Sequence, residues 1–420
     1  MALVLPPLAL YAHFPWCVRK CPYCDFNSYT LKDALPEVRY VEALIADLEH
    51  QAPDACGRKL SSVFLGGGTP SLFSPASLGR ILETARAVFG FVAAIEITLE
   101  ANPGTIERGR FGEYRSAGIN RVSLGAQTFD AAGLNALGRI HSPEETCRAA
   151  EELHAAGLEN FNLDLMYAIP GQDERGAVRD VERAIALEPA HLSHYQLTLE
   201  PGTVFAAAPP ALPSEDAAAG MLAACSERMA AAGFARYEVS AYARRGRRAE
   251  HNLNYWTFGD YLGAGAGAHG KLTDLTAGGI LRTVKAREPR RYLAAPLGFV
   301  SRRAVEPRDL PFEFMLNALR IISGFEAGSF EARAGLDFGA VRPTLERLEA
   351  RALVEHAGAR WWPTPLGTRF LNDLLLEFLP EPASGGACHQ QRGAVNSVPR
   401  SGNYAAPRSL FTGPAGAIGK

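Results

Sequence analysis

The chain has 420 residues, 43 basic against 45 acidic side chains for a formal charge of −2, and 47% hydrophobic residues. These figures describe a globular chain of two or three domains and exclude a wholly disordered chain, a collagen or a disulfide-stapled miniprotein. No long basic run offers the phosphate-neutralising surface of a nucleic-acid binder, and no stretch nears the roughly 20 apolar residues of a membrane span.

The opening MALVLPPLALYAHF has neither a basic head nor a small-residue cleavage site, so a secretory signal is not expected. From Leu8 to about Arg244, strand-like runs alternate with helical periods. The strand candidates are Ala9–Phe14, Ser62–Leu65, Ile95–Glu100, Arg121–Gln127, Asn160–Ile169, His191–Glu200 and Ala235–Ala241. Caps punctuate the helices between them. Ser142, Pro143 and Glu145 form a capping box with a first-turn proline, and Ser214-Glu215-Asp216 opens another helix. Repeated βα units predict an α/β fold with a parallel sheet. No GxGxxG follows the first strand, which favours a partial or closed (β/α) barrel over an open doubly wound sheet.

The barrel is expected over residues 1–244. A connecting segment over 245–310 begins with the basic loop Arg244–Arg248 and contains the glycine-rich stretch Gly259–Gly270. Helical periods at Phe312–Ile321, Val341–Glu355 and Thr368–Leu379, with a short strand pair near Leu353 and Arg360–Pro363, predict a small helical, winged C-terminal domain over 311–382. Residues 383–420 hold no acid and ten Gly or Pro, the composition of a disordered tail.

Seven cysteines is an odd number, and three lie within eight residues, Cys17-Val-Arg-Lys-Cys21-Pro-Tyr-Cys24. This pattern points to metal in a reducing, cytoplasmic setting rather than to disulfides. Three thiolates on one loop can hold three irons of a [4Fe–4S] cluster and leave the fourth open to a small molecule. The competing reading is zinc, which usually takes four ligands in paired spacing. Cys56, Cys147, Cys225 and Cys388 read as buried or incidental thiols.

Further motifs fall at the ends of later strands, the ligand face of a parallel barrel. Gly66-Gly67-Gly68-Thr69-Pro70 lets backbone approach a ligand and offers N–H groups to a carboxylate, or is simply a tight turn. Glu100 either accepts from ribose hydroxyls or caps the next helix. Gln127 and Arg139 flank the following turn. Asp164, inside the apolar run Phe161–Leu165, needs either a ligand or a structural partner such as Arg139, because an unpaired buried charge is costly.

The Cys-x3-Cys-x2-Cys loop near the first strand resembles the radical S-adenosylmethionine (SAM) superfamily, in which the open iron chelates SAM. Taken with Tyr11-Ala-His-Phe-Pro-Trp16 and the motifs above, the chain from Leu8 to about Leu379 resembles the oxygen-independent coproporphyrinogen III oxidases and their relatives. The resemblance implies that Tyr11, Gly67 and Glu100 contact the cluster-bound SAM. It also implies that Tyr23, Gly68, Thr69, Gln127, Arg139 and Asp164 match positions lining a second SAM pocket in the oxidase.

Three features point from the oxidase to its haem-chaperone relatives. Only 16 residues precede Cys17, Phe26 stands where the oxidase has a further cysteine, and His251-Asn-Leu-Asn-Tyr255-Trp256 matches the HNxxYW motif of the chaperones. Imidazole is a common haem ligand, aromatic rings give a porphyrin flat contact, and Arg247 and Arg248 can meet propionates. A core histidine with aromatics filling a domain junction is the competing reading, and His269 and Cys225 are rival ligands. The resemblance therefore implies a haem chaperone that carries a [4Fe–4S] cluster, SAM and haem and passes haem to acceptor haemoproteins. The alternative is radical decarboxylation of coproporphyrinogen III.

Overall fold

The computed structural model describes residues 2–104 and 109–380. The expected tail at 383–420 lies outside the described residues.

Strand β1, Leu8–Phe14, is buried at every position, which explains why it reads as a continuous apolar run instead of an alternating one. It is followed by β2 (Leu60–Gly67), β3 (Phe91–Ala101), β4 (Arg121–Gln127), β5 (Phe161–Tyr167) and β6 (His191–Gln196), each parallel to its predecessor. The helices α1 (Glu37–His50), α2 (Pro75–Phe89), α3 (Phe111–Ser116), α4 (Ala131–Ala136), α5 (Pro143–Ala155) and α6 (Glu174–Ala186) cross between them. Ser142 and Glu145 form the expected capping box, and Ser214 caps α7, Glu215–Ala231.

Beyond β6 the sheet turns antiparallel through β7 (Ala235–Arg236) and β8 (Ala241–Ala243). The short helix α8, Glu250–Trp256, then carries the chain to β9 (Asp260–Ala264), which lies parallel to β1 on its far side. Strands β10 (His269–Asp274), β11 (Gly279–Val284) and β12 (Ser301–Ala304) continue that edge antiparallel. The order is β12-β11-β10-β9-β1-β2-β3-β4-β5-β6-β8-β7, a 12-stranded ladder that does not close on itself among the described residues. Of the two barrel forms expected, the partial one is present.

The sequence pattern misses β9 and its neighbours because glycine there signals close backbone approach, not a loop. A Cβ at Gly263 would lie 2.1 Å from the carbonyl oxygen of His269, and one at Gly265 would lie 2.4 Å from that of His13. Three ion pairs, made by two buried carboxylates, fasten this extension. Asp47 of α1 meets Lys285 at 2.6 Å, and Asp260 meets Arg58 at 2.7 Å and Lys271 at 3.0 Å.

After α9, Pro289–Ala294, a second apolar cluster forms around α10 (Leu310–Ala318), α11 (Ala327–Ala334) and α12 (Arg342–Ala350). A three-stranded sheet of β13 (Phe325–Glu326), β14 (Val354–Ala357) and β15 (Arg360–Pro363) packs with them. Two expected helices differ in extent. The period through Glu355 stops at Ala350, where β14 takes Val354, and Thr368–Leu379 is two helices, α13 (Pro365–Arg369) and α14 (Leu371–Leu376), broken at Phe370.

Candidate functional site

The C-terminal ends of β1 to β6 open onto one cavity of about 300 Å³. Of the residues singled out by sequence, Tyr11, Cys17, Cys21, Tyr23, Cys24, Gly67, Gly68, Thr69, Glu100, Gln127, Arg139 and Asp164 all line it; His251 does not.

The cysteine loop leaves β1 and folds back, held by Tyr29 N–H to Pro15 O and Leu31 N–H to Cys17 O, each 2.8 Å. Arg139 brings its guanidinium to 3.6 Å from Cys21 Sγ and also bonds Asn102 Oδ1 and, at 2.9 Å, the Gly125 carbonyl. Burial pushes the Cys17 thiol up to about 11 and raises Cys24. A thiol in that state becomes a thiolate ligand only against bound positive charge. Among the described residues, no three His, Cys, Asp or Glu side chains converge as the ligands of a single ion. A cluster that takes one thiolate per iron fits this donor set better than zinc does.

The glycine run is a cradle. Gly67 has φ +116°, and a Cβ there would lie 2.5 Å from the His13 ring; a Cβ at Gly68 would lie 2.5 Å from Trp16 O. Gly67 N–H donates to Glu100 Oε2 at 2.8 Å, while Asn102 Nδ2 donates to Thr69 Oγ1 at 3.0 Å. Burial raises the Glu100 carboxyl to about 8, and Asp164 adds to the rise. Tyr11 OH bonds His13 Nδ1 at 2.9 Å, and Tyr195 OH donates to Gln127 Oε1 at 2.8 Å.

Asp164 does not pair with Arg139, as the sequence reading allowed. Its oxygens accept from Ser123 Oγ at 3.1 Å and Asn162 Nδ2 at 2.8 Å, and burial raises its carboxyl. Arg139 instead serves the cysteine loop. Asn102, Arg121, Ser123, Asn162, Ser193 and Tyr195 also line the cavity. Sequence reading missed them; their one signal is the strand alternation that places Ser123 opposite Glu100 and Ser193 opposite Asp164.

His251 lies behind this wall, fully buried. Its ring stacks on Phe64 at 4.8 Å and meets Tyr255 edge-on at 4.7 Å; Nδ1 bonds Ser62 Oγ at 3.1 Å, and Nε2 has no hydrogen-bond partner among the described residues. Trp256 packs under Arg320 with the ring 4.3 Å from its guanidinium carbon, so these aromatics join the barrel to the C-terminal cluster. In this arrangement the imidazole is fully buried between the rings of Phe64 and Tyr255. The motif reaches the cavity through Asn252.

Parallel strands with a three-cysteine loop at the end of β1, backed by a helical, winged C-terminal unit, define a radical SAM protein. Residues 11–184 match the model of the radical SAM superfamily and residues 305–370 that of the HemN C-terminal domain. The superfamily implies a [4Fe–4S] cluster and SAM as cofactors. The chain is 47% identical over 377 residues to the heme chaperone HemW of Escherichia coli (strain K12), covering 90% of this chain and 99% of that one. It is 34% identical over 410 residues to the mitochondrial radical S-adenosyl methionine domain-containing protein 1 of Bos taurus, covering 93% and 91%. The chain belongs to the HemW family. Its fold is similar to that of coproporphyrinogen III oxidase (HemN) from Escherichia coli, with a TM-score of 0.75 over 89% of this chain and 90% of that one at 23% identity. No helix among the described residues is long and apolar enough to cross a membrane.

Proposed function

We propose that this chain is a haem chaperone: it binds haem, hands it to acceptor haemoproteins, and couples that cargo to a cluster-and-SAM cavity. The observation that carries the reading is that the HNxxYW helix is built against the cavity. Asn252 lines the cavity, and the His251 ring lies against Phe64 of its wall. The name borne by relatives 47% and 46% identical to the chain supports the same reading.

Cys17, Cys21 and Cys24 would hold the cluster, and Arg139 would offset the charge of the Cys21 thiolate. When bound, the cluster supplies an open iron that chelates SAM and an electron source able to cleave it. Gly67, Gly68 and Glu100 would then seat SAM, with backbone approach where no Cβ fits. Tyr11 and Phe64 close the wall towards His251. Ligation of haem by His251 requires α8 to leave its packing.

The test is an anaerobic haem titration of the cluster-reconstituted chain against His251→Ala. One haem per chain, bound more weakly by the variant, supports the reading and makes His251 the ligand. Equal binding keeps the chaperone and moves the ligand elsewhere. No saturable binding overturns it. The complete cavity wall favours one second reading, oxidation of coproporphyrinogen III, which requires release of 5′-deoxyadenosine and product with a strong reductant.

A further inference from the structure

The floor of the cavity continues into a buried chain of hydrogen bonds whose direction the chemistry fixes. Asn162 Oδ1 can only accept, so His191 Nδ1, at 2.7 Å, carries the proton and donates to it. That leaves His191 Nε2 as an acceptor for Tyr237 OH at 2.9 Å, and the same phenol oxygen accepts the Ala249 backbone N–H at 3.3 Å. At the other end Asn162 Nδ2 donates to Asp164 Oδ1 and to Ser123 Oγ, each at 2.8 Å, and Ser193 Oγ donates to Asn162 Oδ1 at 3.1 Å. Every donor points towards the Asp164 carboxylate in the cavity wall. Ala249 is the N-cap of α8, the helix carrying HNxxYW. Asn162, His191 and Tyr237 are at most 3% exposed, so water cannot replace a lost partner cheaply.

A second strut reaches the same helix end. The Glu96 carboxylate accepts the N–H groups of Glu250 and His251, each at 3.1 Å, and lies 3.8 Å from Arg121, which lines the cavity. The C-terminal unit joins here too, because Ile322 N–H donates to the Tyr237 carbonyl at 3.1 Å.

We infer that His191 and Tyr237 are positioning residues through which occupancy of the cavity at Asp164 sets the placement of the HNxxYW helix, and with it the affinity for haem. The haem half of this inference rests on the proposed function. A ligand that engages Asp164 or Ser193 rotates or unloads the Asn162 amide, and among the described residues that amide leads on through His191 to Tyr237 and Ala249. Satisfied buried networks of this kind shift as units, because each half-made state strands a polar group.

The test uses the full, cluster-reconstituted chain with SAM as the probe and Tyr237→Phe as the variant, which removes one hydroxyl and little volume. Tyr242→Phe is the control, since it deletes another buried hydroxyl, bonded to Ser226 Oγ at 2.7 Å outside the chain. Amide hydrogen exchange over residues 249–256 is read with and without SAM. Wild type and Tyr242→Phe are expected to change exchange when SAM binds, while Tyr237→Phe binds SAM and shows no change. An unresponsive wild type, a responsive Tyr237→Phe, or loss of response in Tyr242→Phe as well each overturns the inference. In haem titrations SAM is expected to shift wild-type affinity about fivefold or more, in keeping with ordinary coupling energies, and to leave Tyr237→Phe unshifted. If wild type binds no haem the chaperone reading falls, while the exchange arm still decides the fate of the network.

Discussion

Gly67 and Glu100 sit on neighbouring parallel strands, and the glycine N–H donates to the glutamate Oε2 at 2.8 Å at the mouth of the cavity. This bond joins the two motifs that read as separate in sequence. The glycine supplies backbone where a Cβ would strike the His13 ring at 2.5 Å, and the glutamate supplies an acceptor whose carboxyl is raised to about 8 by burial and by Asp164. That shift favours the protonated carboxyl in the ligand-free chain near neutral pH, and loss of the proton makes Glu100 the stronger acceptor for ligand hydroxyls.

This raised carboxyl fixes a pH dependence. Between its ordinary value of 4.5 and about 8, the folded chain keeps a proton that the unfolded chain has released, so Glu100 lowers stability progressively as pH rises through that window. The slope is at most about 1.4 kcal/mol per pH unit. Glu100→Gln keeps the acceptor and removes the titration. The variant is expected to melt near wild type at pH 5 and above it at pH 8 in ligand-free protein, read by thermal scans. A melting difference that stays flat across that range rejects the assignment.

Cys17→Ala, Cys21→Ala and Cys24→Ala are each expected to abolish the iron–sulfur absorbance of reconstituted protein, whereas Cys56→Ala, exposed and remote from the cavity, retains it. A full cluster spectrum in any of the first three removes that residue from the ligand set.

Two glycine substitutions should behave oppositely. At Gly68 a Cβ would stand 2.5 Å from Trp16 O and 2.8 Å from Phe14 O, backbone atoms that cannot give way without displacing the cysteine loop. Gly68→Ala is expected to lose most of its iron on reconstitution. Gly79, inside α2, has its nearest neighbour at 3.6 Å. Gly79→Ala is expected to keep its iron and gain up to about 1 kcal/mol from helix propensity. Iron content and melting temperature, measured on both, decide it.

The parallel strands and the cavity-facing motifs were legible because each is local: an apolar run ends and a functional residue follows. Cys17, Glu100 and Gln127 announce themselves that way. What lay beyond the sequence was set by partners far along the chain. Asp164 demanded a partner, but only the fold shows that Ser123 and Asn162 meet it while Arg139 turns to Cys21. The HNxxYW motif was visible, yet whether its rings face a porphyrin or the interior depends on Phe64, Ser62 and Arg320, which lie far along the chain or in another domain. The strand Asp260–Ala264 was hidden because its glycines serve close backbone contact, which in sequence looks the same as a loop.

The pairing of Asp47 with Lys285 carries a last prediction, about how the far edge of the sheet supports the cysteine loop. Both side chains are fully buried, and Asp47 also accepts from Tyr292 OH at 2.9 Å, Gln51 Nε2 at 2.8 Å and Gly265 N–H at 3.2 Å. Lys285→Met strands a carboxylate among neutral donors, a loss expected to cost about 3–5 kcal/mol. Asp47→Asn together with Lys285→Met leaves no unpaired charge and is expected to recover most of it. The consequence reaches the cluster, because the chain two residues on presents the Arg287 carbonyl to Asn27 Nδ2 at 2.9 Å, and the same nitrogen bonds Ala266 O at 2.9 Å. Asn27 is one anchor of the cysteine loop, its own carbonyl bonded to His13 Nε2 at 2.9 Å. The single variant should therefore unfold at lower urea and also retain less iron, and the double variant should regain both. A single variant within about 0.5 kcal/mol of wild type would show that the pair is dispensable. Full destabilisation with undiminished iron would show that the loop is anchored without it.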